Sequence, residues 1–178
     1  MSEFSKIMTV KIQAFDDKSS YFRDAVDVYC SVWQRNYDDS AVFFKRYTQI
    51  ADFIGYVAIV DNKVVGIAFG TVSQNGQWWH DKVAEQVGKK HPALQNTWVL
   101  TELAVLNRYR KHHIGSTLHD RVLAEQPYPH AILSTQVDNL NARRFYEKRQ
   151  WQYLHHGFAF QSGRQPYCIM HKVTADDD

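Results

Sequence analysis

Four successive cationic or titratable residues precede a glycine and the start of a helical pattern in LNRYRKHHIGSTLHDRV. The residues of this stretch that could contact an anion are Arg110, Lys111, His112, His113, Ile114, Gly115 and Ser116. A helix N-terminus attracts phosphate because it presents unpaired N–H groups and the positive end of the helix dipole. A glycine lets a ligand approach the backbone closely. The stretch predicts a phosphate-binding loop, although such a pattern taken alone is more typical of a solvated basic loop.

Two other site chemistries fit this stretch less well. A Walker nucleotide loop requires Gly-Lys-Ser or Gly-Lys-Thr after a glycine-rich run, and the stretch has neither. The adjacent His112 and His113 point in different directions, and no cysteine stands near them in the sequence. We therefore expect no metal site.

The elements that must position this loop are readable from hydrophobic spacing. Apolar or alternating runs predict strands at Met8–Phe15, Phe53–Val60, Val64–Val72, Thr97–Leu106, His130–Val137, Trp151–Phe160 and Pro166–Val173. Spacing of three and four residues predicts helices within Tyr21–Tyr37, Ala41–Ile50, His80–Val87, the segment after the basic loop, and Asn139–Gln150. Asp61–Lys63 supplies a tight turn between the second and third strands, which predicts a hairpin.

The order of these elements predicts an α/β (α+β) fold. Helices alternate with strands only in the second half of the chain, after an antiparallel meander. A mixed, mostly antiparallel sheet of about seven strands with helices on both faces satisfies this order. The crossover unit from Trp98 to Val137 places the basic loop at the carboxyl end of a strand, where open α/β sheets usually bind ligands.

Two motifs in the second half of the chain resemble those of the GNAT acetyltransferase family. That family's loop has Gln or Arg, two residues, Gly, one residue, and Gly or Ala. Arg110 and Gly115 fill the first and last positions, whereas His113 replaces the first glycine. His113 therefore either takes ordinary backbone angles or tolerates a left-handed conformation at modest cost.

The second motif is VDNLNARRFYEKRQW. The residues that match the family's spacing are Asn139, Ala142, Phe145, Tyr146, Glu147 and Lys148. Gln150 and Trp151 stand where the family usually has Gly-Phe. Either motif alone is weak, but their separation and the surrounding strand order make the pair specific over roughly Trp98 to Trp151.

The resemblance implies one acetyltransferase domain over residues 1–178. Its coenzyme-binding core covers about 98–151, and an insertion at about 73–97 lies on the acceptor side. The cosubstrate is acetyl-coenzyme A. The implied reaction is acetyl transfer to a primary amine of a small molecule or peptide, by direct attack through a tetrahedral intermediate.

The resemblance also assigns roles to residues. The pyrophosphate is bound by the loop of Arg110 to Ser116, and Asn139 belongs to the cofactor site. Pantetheine pairs with the backbone of Leu103, Ala104 and Val105, on a strand splayed from its neighbour. Tyr146 is the proton donor to the departing thiolate. The alternative for Tyr146 is plain packing beside Phe145 and Ala142.

Glu102 is our candidate for the catalytic base. Strand alternation puts its carboxylate on the same partly apolar face as Leu100 and Ala104, and such a face raises a carboxyl pKa. Glu102 could then accept the proton of the amine, directly or through water. A structural salt bridge or an exposed position near the strand end explains Glu102 equally well.

The acceptor pocket is expected from the first helices and the insertion. Aromatic residues in these segments could stack on an aromatic or cationic group; they are Trp33, Tyr37, Trp78 and Trp79. Asp38 or Asp39 could attract a positive amine. Surface aromatics more often cover a core or a contact within a homodimer.

Composition restricts the location and the partners. The chain has 178 residues, a net charge of +2 and no apolar run long enough to cross a bilayer. Its start lacks the pattern of a signal peptide, so we expect a cytosolic protein that binds neither nucleic acid nor membrane. Cys30 and Cys168 are expected as reduced thiols, with a disulfide as the alternative.

Two other functions stay open at this point. A coenzyme-binding regulatory or interaction module could have lost catalysis. An acyltransferase could use another acyl donor or an oxygen acceptor.

Overall fold

The computed structural model describes residues 8–175. Its strands, β1 to β7 in chain order, are Lys11–Ala14, Ile54–Val60, Lys63–Ser73, Thr97–Val105, His130–Gln136, Gln152–Ala159 and Pro166–Val173. Its helices, α1 to α5, are Phe22–Trp33, Tyr37–Thr48, Trp78–Val87, Ile114–Glu125 and Leu140–Lys148. Short 3-10 turns occupy Pro92–Leu94 and Asn107–Tyr109.

The sheet is mixed and has the strand order β1-β2-β3-β4-β5-β7-β6. Strands β1 and β2, β5 and β7, and β6 and β7 pair antiparallel. Strand β4 pairs parallel with β5, with Thr97 to Val99 opposite His130 to Ile132. The predicted seven-stranded mixed sheet with helices is confirmed, whereas the splay of β4 stays a prediction.

The chain divides into two compact units. Within the described residues, the first comprises 8–69 and 102–125, and the second comprises 70–101 and 126–175. Each unit has its own cluster of buried side chains. The expectation of one acetyltransferase domain over the whole chain stays a prediction.

An aromatic core holds the first unit together. The rings of Phe44 and Phe69 meet edge to face with centroids 4.9 Å apart, and both side chains are fully buried. Helices α1 and α2 contribute Val26 and Phe44 to this core, which covers one face of the sheet. Helix α4 packs on the opposite face, where a Cβ added at Gly66 would lie 3.1 Å from the Leu118 side chain.

The β2–β3 hairpin turns through two left-handed residues. Asp61 and Asn62 have φ values of 48° and 62°. Positive φ at both central residues is the requirement of the two-residue turn that matches strand twist, and Asn and Asp tolerate it. The hairpin predicted from the sequence is confirmed.

Helix boundaries differ from their predicted positions where a local cap overrides hydrophobic spacing. Helix α1 ends at Trp33 because Gln34 is left-handed, with φ 54°. Helix α2 begins at Tyr37, four residues before the predicted start, because the Asn36 side chain accepts a hydrogen bond from the Asp39 N–H.

Two polar contacts attach α3 to the sheet of the second unit. The buried side chains of Ser73 and His80 lie 2.8 Å apart, Oγ to Nδ1. The indole N–H of Trp79 donates to Ser134 Oγ at 3.2 Å. Helix α3 begins at Trp78, two residues before the predicted start.

Helix α5 packs on the other face of the same strands. The Arg143 guanidinium donates to the Val137 carbonyl at 2.7 Å and to the Tyr153 hydroxyl at 2.9 Å. Tyr153 pairs in register with Met170, whereas the core residue Ile169 on the next position faces α3. Helices therefore cover both faces of the sheet in this unit, as they do in the first.

Neither a membrane helix nor a disulfide occurs in the described part of the chain. No helix within residues 8–175 is long and apolar enough to cross a membrane. Cys30 and Cys168 are both free thiols, as predicted. The cytosolic location stays a prediction.

Three histidines lie together in the second unit. His130 on β5 and His171 on β7 each have a buried Nδ1 that makes no hydrogen bond. Burial lowers the pKa of His171, and the positive charges that His91 and His130 would carry lower it further. The fold therefore favours neutral His171.

We predict that His171 makes the protein sensitive to acid. A histidine with a lowered folded-state pKa binds fewer protons than in the unfolded chain, so stability falls as pH drops through the unfolded value of about 6.5. His171→Gln should lose less unfolding free energy than the wild type between about pH 7 and about pH 5. Denaturant titrations at both pH values measure this. His156→Gln, at an exposed histidine, is the control, and equal losses in wild type and His171→Gln would contradict the prediction.

Candidate active site

The basic loop leaves the end of β4 through a short 3-10 turn. The Leu106 N–H donates to the Val65 carbonyl on β3 at 2.8 Å, which fixes the start of the turn. At the end of the turn, Arg110 folds back and its Nε donates to the Val105 carbonyl at 3.1 Å. The Arg110 side chain is exposed, so its guanidinium faces solvent at the loop.

Two loop residues take left-handed backbone angles. Lys111 has φ 65° and His113 has φ 62°. Turns that include left-handed residues curve successive N–H groups around a concavity that binds anions. His113 thus occupies the family's glycine position in a glycine-like conformation, which is the second of the two alternatives left open by the sequence.

The His113 carbonyl begins helix α4. It accepts hydrogen bonds from the Thr117 N–H at 3.0 Å, Thr117 Oγ1 at 2.8 Å and Ser116 Oγ at 3.1 Å. The backbone N–H groups of Ile114, Gly115 and Ser116 precede this first helical bond and point away from the helix. Together with the exposed Arg110 and Lys111, they form a concentration of positive potential suited to a pyrophosphate.

Glu102 stands on β4, three residues before the end of the strand. Its Oε1 accepts a hydrogen bond from the Trp33 indole N–H at 3.0 Å. Burial raises the pKa of Glu102 to about 7, although hydrogen bonds from Trp33 and from the Leu103 backbone N–H lower it in part. Its strand neighbour on the same face, Ala104, is buried in the aromatic core of the first unit.

The sequence places Trp33 beside Glu102 through the apolar stripe of α1. Val26, Tyr29 and Trp33 follow one another at helical spacing, and the first two pack into the aromatic core. The stripe therefore directs the last residue of the helix towards the sheet. The Trp33 side chain remains 39% exposed, so one part of the indole contacts solvent.

Tyr146 and Asn139 belong to the second unit. The Tyr146 side chain is 8% exposed, and its ring lies against Phe145 and Trp151 with centroids 5.2 and 5.7 Å away. The Asn139 amide oxygen accepts from the Ala142 N–H at 3.2 Å and caps α5. Their assignment to catalysis and cofactor binding stays a prediction.

The four candidate acceptor aromatics have different surroundings. Trp33 contacts Glu102, whereas the ring of Tyr37 lies 5.7 Å from the Arg23 guanidinium. In the second unit, Trp78 is 55% exposed. Its ring is 5.9 Å from Phe160, a residue that no sequence motif singles out. Their contact with an acceptor stays a prediction.

A separate cavity of about 620 Å³ in the first unit includes neither Glu102 nor the basic loop. It is lined by the segment after β1, the end of α2, the start of β2 and Glu125. The Tyr56 hydroxyl donates to Glu125 at 2.5 Å there, which joins β2 to α4. No metal-binding group of three or more His, Cys, Asp or Glu side chains occurs within residues 8–175.

Comparisons with known proteins agree with this fold. The model of the acetyltransferase (GNAT) family matches residues 18–150, and the chain therefore belongs to that family. The family uses acetyl-coenzyme A as its cosubstrate. No curated protein sequence matches the chain.

Solved acetyltransferase structures share the architecture. Aminoglycoside 6′-acetyltransferase type Ii is 20% identical, with 94% of this chain and 99% of that chain covered and a TM-score of 0.69. Ard1 from Thermoplasma volcanium is 19% identical, with coverages of 94% and 99% and a TM-score of 0.64. A GNAT acetyltransferase from Bacillus cereus ATCC 10987 is 11% identical, with coverages of 93% and 97% and a TM-score of 0.66. At these identities the likeness establishes the fold.

We predict that His113→Gly relieves backbone strain. Among the described residues, the left-handed non-glycine positions include Lys111 and His113 but not His112. A glycine costs unfolded-state entropy at either position but removes steric strain only at His113. The unfolding free energy of His113→Gly should exceed that of His112→Gly by about 1 kcal/mol. Chemical denaturation of both variants measures the difference, and equal stabilities would show that His113 carries no strain.

Proposed function

We propose that this protein is an N-acetyltransferase that transfers the acetyl group of acetyl-coenzyme A to a primary amine of a small molecule or peptide by direct attack. Family membership supports the acetyl chemistry. The observation that carries the proposal is the Glu102 carboxyl, with its pKa raised to about 7 and its Oε1 bonded to the Trp33 indole N–H. A carboxylate with a pKa near the working pH is suited to accept a proton from an amine.

The residues of the loop fit a coenzyme pyrophosphate. The N–H groups of Ile114, Gly115 and Ser116 are the donors at the start of α4, and Arg110 and Lys111 add positive charge. The left-handed conformation of His113 curves the backbone so that a ligand oxygen can meet more than one N–H. Bound there, acetyl-coenzyme A would supply the thioester from which the acetyl group is transferred.

Acetyl transfer to a neutral amine requires two proton movements. An ammonium acceptor first loses one proton to solvent, because only the neutral amine can attack. As the amide forms, the nitrogen loses a further proton, which Glu102 accepts in this proposal and then releases to solvent. The departing thiolate gains a proton, which we assign to the Tyr146 hydroxyl by the family motif. The backbone N–H groups on β4 would stabilise the negative charge that develops on the thioester oxygen.

A cationic amine is the favoured acceptor. Asp38 and Asp39 are exposed in the first turn of α2. A positive amine is attracted by such carboxylates and by the face of an exposed indole such as Trp33. The fold neighbour named aminoglycoside 6′-acetyltransferase acts on an aminoglycoside by its name, which is in keeping with a small-molecule amine as one of the two acceptor classes.

Release of the coenzyme thiol over a panel of amines and peptides tests the proposal. Acetyl-coenzyme A is supplied, and free thiol is measured with and without each acceptor. Gly115→Asp is the matched negative variant, because a carboxylate in the first turn favours the helix but repels a pyrophosphate. We expect acceptor-dependent release by the wild type and at least a tenfold weaker coenzyme affinity in Gly115→Asp, measured by calorimetry. Gly115→Ala controls for the added side chain.

Two results would contradict the proposal. Coenzyme binding without thiol release over the whole panel would support a regulatory or interaction module instead. Release with longer acyl donors or with alcohols, but not with acetyl-coenzyme A and amines, would support a different acyltransferase.

We predict that Tyr146→Phe lowers kcat by roughly 10²–10⁴ while the affinity for acetyl-coenzyme A changes little. The substitution removes one oxygen and retains the ring that packs against Phe145 and Trp151. Single-turnover kinetics measure the chemical step, and a thermal melt shows whether the fold is intact. A fall of only a few-fold in the chemical step would make Tyr146 a packing residue.

A further inference from the structure

We propose that Trp33 is a positioning residue: its indole N–H holds the Glu102 carboxylate in the orientation and protonation state in which it accepts the proton of the acceptor amine. This inference rests on the proposed function, since it concerns the base of that reaction. It adds a role on α1, a helix that contributes none of the coenzyme-binding residues.

The direction of the hydrogen bond is fixed by chemistry. An indole nitrogen is only a donor, and an ionised carboxylate is only an acceptor. The 3.0 Å separation of Trp33 Nε1 and Glu102 Oε1 is therefore a bond that forms fully with the charged carboxylate. Protonation of Glu102 removes the negative charge and weakens this hydrogen bond. Trp33 therefore stabilises the ionised form of Glu102, which is the form that can act as a base.

Backbone hydrogen bonds at the end of α1 fix the position of the Trp33 backbone. The left-handed Gln34 ends α1 directly after Trp33, and its N–H donates to the Cys30 carbonyl. The Arg35 N–H donates to the same carbonyl at 3.1 Å. This closed helix end, together with the buried Val26 on the same stripe, fixes the backbone position from which the indole reaches Glu102 on β4.

In the surroundings of Glu102, a single hydrogen-bond donor has a large effect on the pKa of the carboxyl group. Burial is the largest influence on its pKa, and no charged side chain within residues 8–175 contributes to it. The opposing influences are the hydrogen bonds from Trp33 and the Leu103 backbone. A carboxylate has about four acceptor sites, so these two donors leave capacity for a substrate proton.

Removal of the indole N–H should therefore raise the pKa of Glu102. In Trp33→Phe an aromatic ring remains but the donor is lost. A hydrogen bond to a charged group is worth about 1.5 kcal/mol or more, which corresponds to a rise of about one pH unit. The acid limb of kcat/KM against pH should move upward by the same amount, because the base must be deprotonated to act.

A titration that does not depend on activity is the first test. Protein with ¹³C-labelled glutamate carboxyls is titrated by NMR, and the Glu102 signal is assigned by its loss in Glu102→Gln. We expect the midpoint to rise by about one unit in Trp33→Phe and to stay unchanged in Val42→Ala, which alters an exposed apolar residue of α2. An unchanged midpoint in Trp33→Phe would overturn the proposal even if the enzyme is active.

A double-mutant cycle is the second test. If Trp33 acts through Glu102, Trp33→Phe lowers kcat/KM near pH 7 by about tenfold in the wild-type background and has little effect in Glu102→Gln. An equal loss in both backgrounds would show that Trp33 contacts the acceptor directly. Absence of acetyl transfer by the wild type would refute the proposed function, whereas the NMR midpoints would still report on the Trp33–Glu102 pair.

Discussion

The Glu102 carboxyl is partly buried beside an aromatic core, and this burial makes its charged form costly. Its pKa of about 7 lies above the value of 4.5 for a free glutamate. Between these two pH values the folded protein therefore holds a proton on Glu102 that the unfolded chain has already lost. The contribution of this residue to stability is therefore present below about pH 4.5 and is lost as pH rises through about 7. The hydrogen bonds from the Trp33 indole and from the Leu103 N–H offset part of that cost. The first unit is therefore less stable near neutral pH, the range in which the Glu102 carboxyl can exchange its proton.

The left-handed backbone of His113 in the basic loop is a second energetically unfavourable feature. His113 takes a conformation that normally favours glycine, and its carbonyl accepts three hydrogen bonds from the first residues of α4. Those bonds hold the carbonyl in place and oppose the steric penalty of the side chain. Arg110 adds a tie from the loop back to Val105. The shape of the loop is therefore built by the helix start and the strand end, and a glycine is dispensable at this position.

The sequence predicted the elements that hydrophobic spacing and turn chemistry define. The hairpin at Asp61–Asn62 and the bounds of β7 match the structure closely because each has an unambiguous local signal. Hydrophobic spacing predicts the start of α2 four residues too late, because it takes no account of the Asn36 cap. Trp33 and Glu102 were both candidate site residues, yet their hydrogen bond was not predicted because 69 residues separate them. Only the packing of α1 on the sheet brings them together, and one sequence without packing information does not contain that geometry.

The connection between α3 and β4 has an exposed middle, and the chain on each side of it packs against the second unit. Before that point, His80 and Trp79 hold α3 through Ser73 and Ser134; after it, Ala93 and Leu94 are buried. Gly88, Lys89 and Lys90 between them are exposed. A protease that cleaves after lysine would find one accessible site here, and the two new chain ends would remain held by their own contacts. Protein cut at this site alone would migrate as two fragments on a denaturing gel while it still behaved as one particle in native buffer.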